Sequence, residues 1–364
     1  MQVIKQNLGI EVDAKKLKVS FQTLQQGLSI KIRGSRSFDN NEKGFKALHT
    51  WLDKKRVEVQ PIHLTMEATG VYYENLAYYF HGNPLFIVHV VLPNMSNAFL
   101  KSLNLKSKTD EIDSKGLGRM GLERQLSTWQ PMSMQMRKLR KLTRERIHLL
   151  KEKTVVCNQL HAERCSYEPC STSIKRYAER LSFLDKQVSA IEKELRQTVQ
   201  KDPALQQRIE NVYTAKGLGF ITVIGVVAEM NGFILFRNRN QVVSYAGYDV
   251  VEKESGTSVK GKPRISKKGN SYVRQMLFMA AMSAAVHDDH HKSYYQRIVA
   301  KTSIKMKANV AIQRKLLLLI YALFKNNVPY DPLYHLKVQQ RLKPKIQTDK
   351  GQLEELALKN KENL

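Results

Sequence analysis

The first hundred residues constrain the fold more than any other part of the chain. Val3 to Val12 reads as a strand that closes on Gly9-Ile-Glu-Val12, and Lys16 to Thr23 and Leu28 to Ile32 follow it, with turn residues between all three. Three such neighbours predict an antiparallel meander. Phe45, Leu48 and Leu52 then stand at helical spacing within a segment from Asn41 to Lys54, with Asn40 or Asn41 as its cap. Ile62-His-Leu-Thr-Met-Glu67 alternates apolar residues like a strand, and Tyr73 to Phe80 reads as a helix. Leu85 to Leu92 is an apolar, β-branched run that predicts a buried parallel strand, and Pro93 opens another helical stretch.

This order, β-β-β-α-β-α-β-α, is that of an α/β RNase H-like (RuvC-like) domain. In such a sheet, acids at the ends of the first and fourth strands meet near the centre, and a late helix adds more. Glu11 and Glu67 end the matching strands. Asp110 and Asp113 follow in Lys108-Thr-Asp-Glu-Ile-Asp113, at the start of a predicted helix. At i and i+3 the two aspartates share a helix face, and the helix dipole favours their charge there. Phosphodiester cleavage by two Mg²⁺ ions about 4 Å apart needs such convergent carboxylates. Taken alone, Asp-x-x-Asp is an ordinary solvated first turn, and Glu67 an ordinary strand-end residue; their joint placement carries the reading.

Charge names the partner. Lys and Arg number 60 against 33 Asp and Glu, a balance of +27. Cations gain affinity for a phosphate backbone by releasing its counterions. A membrane is the other polyanionic surface. The longest apolar run, Leu316 to Phe324, falls short of the roughly 20 residues that a spanning helix needs. The N-terminus lacks a signal peptide's apolar core. The expectation is a cytoplasmic protein with no membrane partner.

The texture changes between Met136 and Lys201. Leu181, Leu184, Val188, Ile191 and Leu195 keep a 3-4-3-4 spacing; Leu139, Leu142, Leu149, Val156 and Leu160 keep it less cleanly, with Arg146 and Lys153 at seam positions. Two long coiled-coil helices fit, paired as a hairpin, packed as surface helices on the catalytic domain, or paired between subunits. Cys157, His161, Cys165 and Cys170 form a ligand-like string, but the first three climb one helix over two turns, and free thiols are the simpler reading. Tyr213-Thr-Ala-Lys-Gly-Leu-Gly219 before an apolar helix resembles a helix-hairpin-helix. His287-Asp-Asp-His-His291 reads as the polar exit of the apolar helix 271–286, and Tyr294 and Tyr295 as packing residues. Four regions result: 1–130 catalytic, 131–201 coiled coil, 202–335 a mainly α C-terminal domain, and 336–364 a charged tail.

From Glu252 the chain carries seven cations in a glycine-punctuated segment: Lys253, Lys260, Lys262, Arg264, Lys267, Lys268 and Arg274. Such a loop suits phosphate. A serine within it can serve as a nucleophile if cations stabilise its alkoxide, though composition does not choose which serine.

Gly9-Ile-Glu-Val12, Met66-Glu-Ala-Thr-Gly70 and Lys108-Thr-Asp-Glu-Ile-Asp113 resemble the three acidic motifs of the DEDD transposases of the IS-one-ten insertion-sequence family, related to the Piv-type invertases. Val243-Ser-Tyr-Ala-Gly247, Ser255-Gly256, Arg264-Ile-Ser-Lys-Lys-Gly-Asn270 and Val328-Pro-Tyr-Asp-Pro332 resemble that family's C-terminal domain. The resemblance spans most of residues 8–332. It implies Glu11, Glu67, Asp110 and Asp113 as Mg²⁺ ligands and Ser255 as the residue that joins to DNA, with Ser258 and Ser266 as alternatives. Where the family has Asp, this chain has Glu11, whose extra methylene moves the carboxylate by roughly 1.5 Å; Asp13 is the rival ligand. The resemblance also implies donor and target DNA as substrates and an element-encoded noncoding RNA as guide. A homo-oligomer, dimer or tetramer, is expected from the heptads, with a composite site whose halves come from two domains or two subunits. Lys108 joins the basic segment as a nucleic-acid contact. A Holliday-junction-resolvase-like nuclease needs the acids without Ser255. A non-catalytic nucleic-acid scaffold needs neither.

Overall fold

Alternating apolar residues build a five-stranded sheet: β1 (Val3–Val12), β2 (Lys16–Gln25), β3 (Ile30–Asp39), β4 (Ile62–Glu67) and β5 (Phe86–Val91), in the order β3-β2-β1-β4-β5. The first three strands pair antiparallel, and β4 and β5 run parallel to β1. The computed structural model describes residues 2–57, 60–104, 106–107, 109–252, 254–255, 259–261 and 263–334, and only the backbone of Ser255, Val259 and Lys260. Lys108, Lys253, Lys262, Ser258 and the charged tail at 336–364 lie outside the described residues. Contacts divide the chain into two units, Met1–Pro131 and Met132–Leu364.

In the first unit one sheet face is oily. Leu8, Ile10, Leu17, Val19, Phe21, Leu64 and Met66 are buried there with Phe45, Leu48 and Leu52 of α1 (Glu42–Lys55) and Leu76, Ala77 and Phe80 of α2 (Glu74–His81). Asn41 caps α1 by accepting from the Gly44 N–H at 2.9 Å. α3 (Pro93–Ser102) and α4 (Asp110–Glu123) complete the unit, and α4 packs on β1, β2 and β4. The third strand lies later than its sequence pattern suggests. Gly27 and Leu28 turn with positive φ, and β3 runs on to Asp39. It is an edge strand in which only Phe38 is buried, so no alternation marks it.

The second unit opens with α5 (Met134–Arg164) and α6 (Ser171–Gln200), which pack against each other. Lys138–Glu194 and Arg146–Glu192, each at 2.7 Å, and Lys153–Asp185 pair in opposite order along the two helices, so the hairpin is antiparallel. The seam cations thus sit opposite acids. α7 (Pro203–Tyr213) and α8 (Phe220–Glu229) are joined by the turn at 214–219, and α9 (Arg239–Ala246) follows. A stepped hairpin comes next: β6 (Val250–Val251) pairs with β9 (Arg264–Ile265), and beyond them β7 (Glu254–Ser255) pairs with β8 (Val259–Lys260). α10 (Ser271–His287), α11 (Asp289–Thr302) and α12 (Lys305–Asn326) close the unit. Its core joins Leu139, Ile191, Leu195, Ile224, Leu277 and Leu316, so the roots of the long hairpin are built into it.

The charged stretch after His287 is not simply the exit of a helix. Asp288 caps α11, accepting from both the backbone N–H and Nδ1 of His291 at 2.9 Å. His291 is the one residue of α11 that is buried outright. Tyr294 and Tyr295 pack against the core. Among the described residues no helix is long and apolar enough to cross a membrane.

Candidate functional site

The register of β1 and β4 sets two of the acids side by side. Gly9 pairs with Thr65 and Ile10 with Met66 in parallel, so the next residues, Glu11 and Glu67, neighbour each other at the carboxyl ends of their strands. Both are half-buried. Asp13 lies beyond the strand, its N–H donating to Lys16 O at 3.0 Å in the turn.

Glu11 shares a strand face with Gly9 and Asn7, and Glu67 shares one with Thr65. α4 lies against that face with almost no side chain between. A Cβ on Gly9 would stand 2.0 Å from Ser114 O and 2.1 Å from Gly118 N. A Cβ on Gly121 would stand 2.2 Å from both Asn7 Nδ2 and Thr65 Oγ1. Polar groups lock the contact: Thr65 Oγ1 donates to Asn7 Oδ1 at 3.0 Å, Asn7 Nδ2 to Gly118 O at 2.7 Å, and Gln22 Nε2 to Lys115 O at 2.8 Å. Asn7 meets Gly118 and Gly121, whereas Gly9 meets Ser114 and Gly118. Each step along β1 towards Glu11 is therefore a step towards the N-terminus of α4. The first turn of α4, with Asp110 and Asp113, stands at the same edge of the sheet as Glu11 and Glu67. Thr109 caps that turn, its Oγ1 accepting from Ile112 N at 3.3 Å. Glu111 instead pairs with exposed Lys115 at 2.8 Å.

Ser96, which no sequence pattern marks, and Thr69, inside the Met66-Glu-Ala-Thr-Gly70 motif, orient Glu67. The buried Ser96 of α3 donates to Oε2 at 2.5 Å, and Thr69 Oγ1 donates to Oε1 at 3.4 Å. Four carboxylates at one edge suit a hard divalent cation in kind. Among the described residues, however, no three His, Cys, Asp or Glu side chains converge as a metal cluster. That holds for the acids and for the cysteine string alike. Cys157, Cys165 and Cys170 are free and exposed. Hydrogen bonds from Thr172 and Ser173 pull the Cys170 thiol down to about 7.

In the second unit Ser255 lies on β7 with its Cα opposite Val259, one residue before the undescribed tip of the stepped hairpin. Arg264 lies on β9, and Lys267 and Lys268 at the root of the hairpin are exposed. Lys267 and Arg274 line a cleft of about 700 Å³ with Arg146, Ile265, Met276 and Met306. Arg274 is also structural, its Nη1 donating to Ala246 O at 2.7 Å. Sequence reasoning missed Glu229 here. Its side chain has no exposure at all, and it binds Arg144 through two hydrogen bonds, of 2.6 and 2.8 Å. Within an apolar helix, a lone acid at its last position was the available signal.

Residues 9–163 match the DEDD transposase model of IS110, and residues 209–296 match the model described as "Transposase IS116/IS110/IS902 family". The chain belongs to the IS110 transposases. Glu11, Glu67, Asp110 and Asp113 fall within the first matched stretch, and Ser255 to Arg274 within the second. A pilin gene-inverting protein of Moraxella bovis is 29% identical over 303 residues, covering 82% of this chain and 91% of that protein. Its counterpart in Moraxella lacunata matches to the same extent. An uncharacterised insertion element IS110 protein of Streptomyces coelicolor is 24% identical over 115 residues, 32% of this chain and 28% of its own length. A solved Ppx/GppA family member from Aquifex aeolicus overlaps 93% of this chain and 98% of its own at 9% identity, with a TM-score of 0.21 that supports no fold assignment.

Proposed function

We propose that this IS110 transposase is a recombinase that cuts and rejoins donor and target DNA to mobilise its insertion element. The observation that carries the reading is the shared edge: Glu11 and Glu67 in adjacent register, with the first turn of α4 held to the same face through Gly9 and Gly118. The order β3-β2-β1-β4-β5, antiparallel on one side of β1 and parallel on the other, supports an RNase H-like domain. The Moraxella relatives are named for gene inversion, which is also a DNA rearrangement.

In this reading Glu11, Glu67, Asp110 and Asp113 would hold Mg²⁺, with Ser96 and Thr69 steadying Glu67. A divalent ion held there would supply positive charge to offset the negative charge that develops during displacement. Ser255 is the nucleophile. Its Oγ loses a proton and bonds to phosphorus, the P–O bond to the adjoining sugar breaks, and the sugar oxygen leaves as a hydroxyl on taking up a proton. Attack on this serine–phosphate ester by a hydroxyl of another strand reverses the step and joins the two strands. Lys108, Lys260, Lys262, Arg264, Lys267, Lys268 and Arg274 neutralise DNA phosphates. The charge of +27 suits a complex that also holds a guiding noncoding RNA, and the working form is a homo-oligomer, a dimer or tetramer.

The test places the gene between its native flanking DNA on a plasmid in a bacterial host. Wild type should yield recombinant junctions and detergent-resistant protein–DNA adducts, whereas Ser255→Ala and Asp110→Ala should yield neither. Junctions formed by Ser255→Ala would overturn the serine mechanism. Cleavage without adducts would point to a resolvase-like nuclease. Purified wild type that binds DNA without cleaving it, across a range of Mg²⁺, would point to a scaffold.

A further inference from the structure

A buried charge network sits beneath the stepped hairpin. Glu229 ends α8 with its carboxylate fully enclosed. Arg144 of α5 grips both carboxylate oxygens, and its guanidinium lies 4.5 Å from the centre of the Tyr272 ring. The second oxygen, Oε2, also accepts from Asn270 Nδ2 at 2.6 Å. Asn270 uses its other end to cap α10, where Oδ1 accepts from the N–H groups of Tyr272 and Val273 at 2.9 and 3.3 Å.

The same residues tie the two ends of the hairpin together. The Asn270 N–H donates to Tyr245 O at 2.7 Å, and Lys267 N to Gly247 O at 3.1 Å. Gly247 takes φ +74, and a Cβ on Gly269 would stand 2.5 Å from Gly247 N, so outgoing and returning strands touch backbone to backbone. Tyr245 OH donates to the Glu229 backbone carbonyl at 3.3 Å. Glu229 thus connects one long helix, α5, to both feet of the hairpin that carries Ser255.

We propose that Glu229, through Asn270 and Arg144, is a positioning residue that sets the direction of the Ser255 hairpin, and that the Asn270–Glu229 bond is needed for strand transfer but not for DNA binding. A carboxylate serves this purpose because it accepts from Arg144 and Asn270 at once. Removing one partner leaves a buried charge underpaired, and the hairpin root moves to satisfy it. This inference rests on the reading of Ser255 as nucleophile.

Asn270 offers a clean test because its two ends do separate jobs. Asn270→Ser keeps an N-cap but cannot reach Glu229, and Asn270→Asp keeps the cap while setting a second carboxylate against the first. Both purified variants should stay folded with a lowered melting temperature, and should bind a random-sequence duplex as wild type does; the plasmid assay reads the adducts. Adduct yield should fall between about tenfold and a hundredfold, the cost of a small misplacement of a reacting group. Wild-type adduct levels in Asn270→Ser and Asn270→Asp would overturn the proposal. Loss of duplex binding in step with adducts would also overturn it, since a generally loosened fold would explain both. If Ser255→Ala itself forms adducts, the nucleophile reading fails; if only the Asn270 variants behave as wild type, the positioning role alone fails.

Discussion

A pair of histidines shows how far burial decides the behaviour of single residues. His63 on β4 and His89 on β5 stack with rings 5° from parallel, and His63 Nδ1 lies 2.8 Å from His89 Nε2. His89 Nδ1 stands 2.9 Å from Ser127 O, which accepts only; His89 therefore donates through Nδ1, and its Nε2 accepts from His63. Protonating both rings would break this chain. Burial first, then the charges of Lys5 and His89, push His63 down to about 4 from its usual 6.5. Between those values the unfolded chain binds a proton that the folded chain refuses, so stability rises with pH across the window. The thermal midpoint of the protein should drop as pH falls from neutrality towards 4, and His63→Gln should flatten that dependence. An unchanged slope in the variant would assign the acid sensitivity elsewhere. Ser96 makes a related point: nothing in its neighbours marks it, yet it holds one oxygen of Glu67.

Among the elements, α4 is the one whose placement matters most, and glycines place it. Gly9→Ala would drive a methyl group into the backbone of Ser114 and Gly118. Neither atom belongs to a flexible side chain, so the helix must lift from the sheet. The expected loss is at least about 3 kcal/mol, at the high end for overpacking, read as a shift of the urea midpoint. DNA cleavage should fall with it even in the folded fraction, because Asp110 and Asp113 move with the helix. A variant as stable and active as wild type would show that the acids do not depend on this contact. The start of α4 was legible from the spacing of Asp110 and Asp113. That it seats on β1 was not, because Gly9, Gly118 and Gly121 carry no hydrophobic signal. β3 and α11 were misread for a similar reason: an edge strand and a charged surface helix bury too little to impose a period. The α5–α6 seam was plain in its heptads, but only the structure showed it closing within one chain, with Arg146 and Lys153 facing Glu192 and Asp185.

At the scale of the whole molecule, charge and core separate cleanly. The apolar clusters of the first unit lie between Leu8 and Trp129, and that of the second lies between Met136 and Tyr330. The balance is +27, and among the described residues no Lys or Arg is buried, so these cations are open to solvent and to a polyanion. Affinity for duplex DNA should therefore fall by roughly a thousandfold or more between about 50 and 200 mM salt, with Arg264→Ala lowering the log–log slope by about one. A salt-independent affinity, measured by fluorescence anisotropy, would remove the basis for reading these cations as phosphate contacts. The strand periods, the helical heptads, the spacing of Asp110 and Asp113 and the cationic segment after Glu252 were all set by the sequence itself, because each is a relation between near neighbours along the chain. The pairing of Glu11 with Glu67, the seating of α4 on Gly9 and the enclosure of Glu229 by Arg144 and Asn270 were decided only by the tertiary structure. Each joins residues more than forty positions apart, and such contacts depend on how whole faces pack, which no local pattern records.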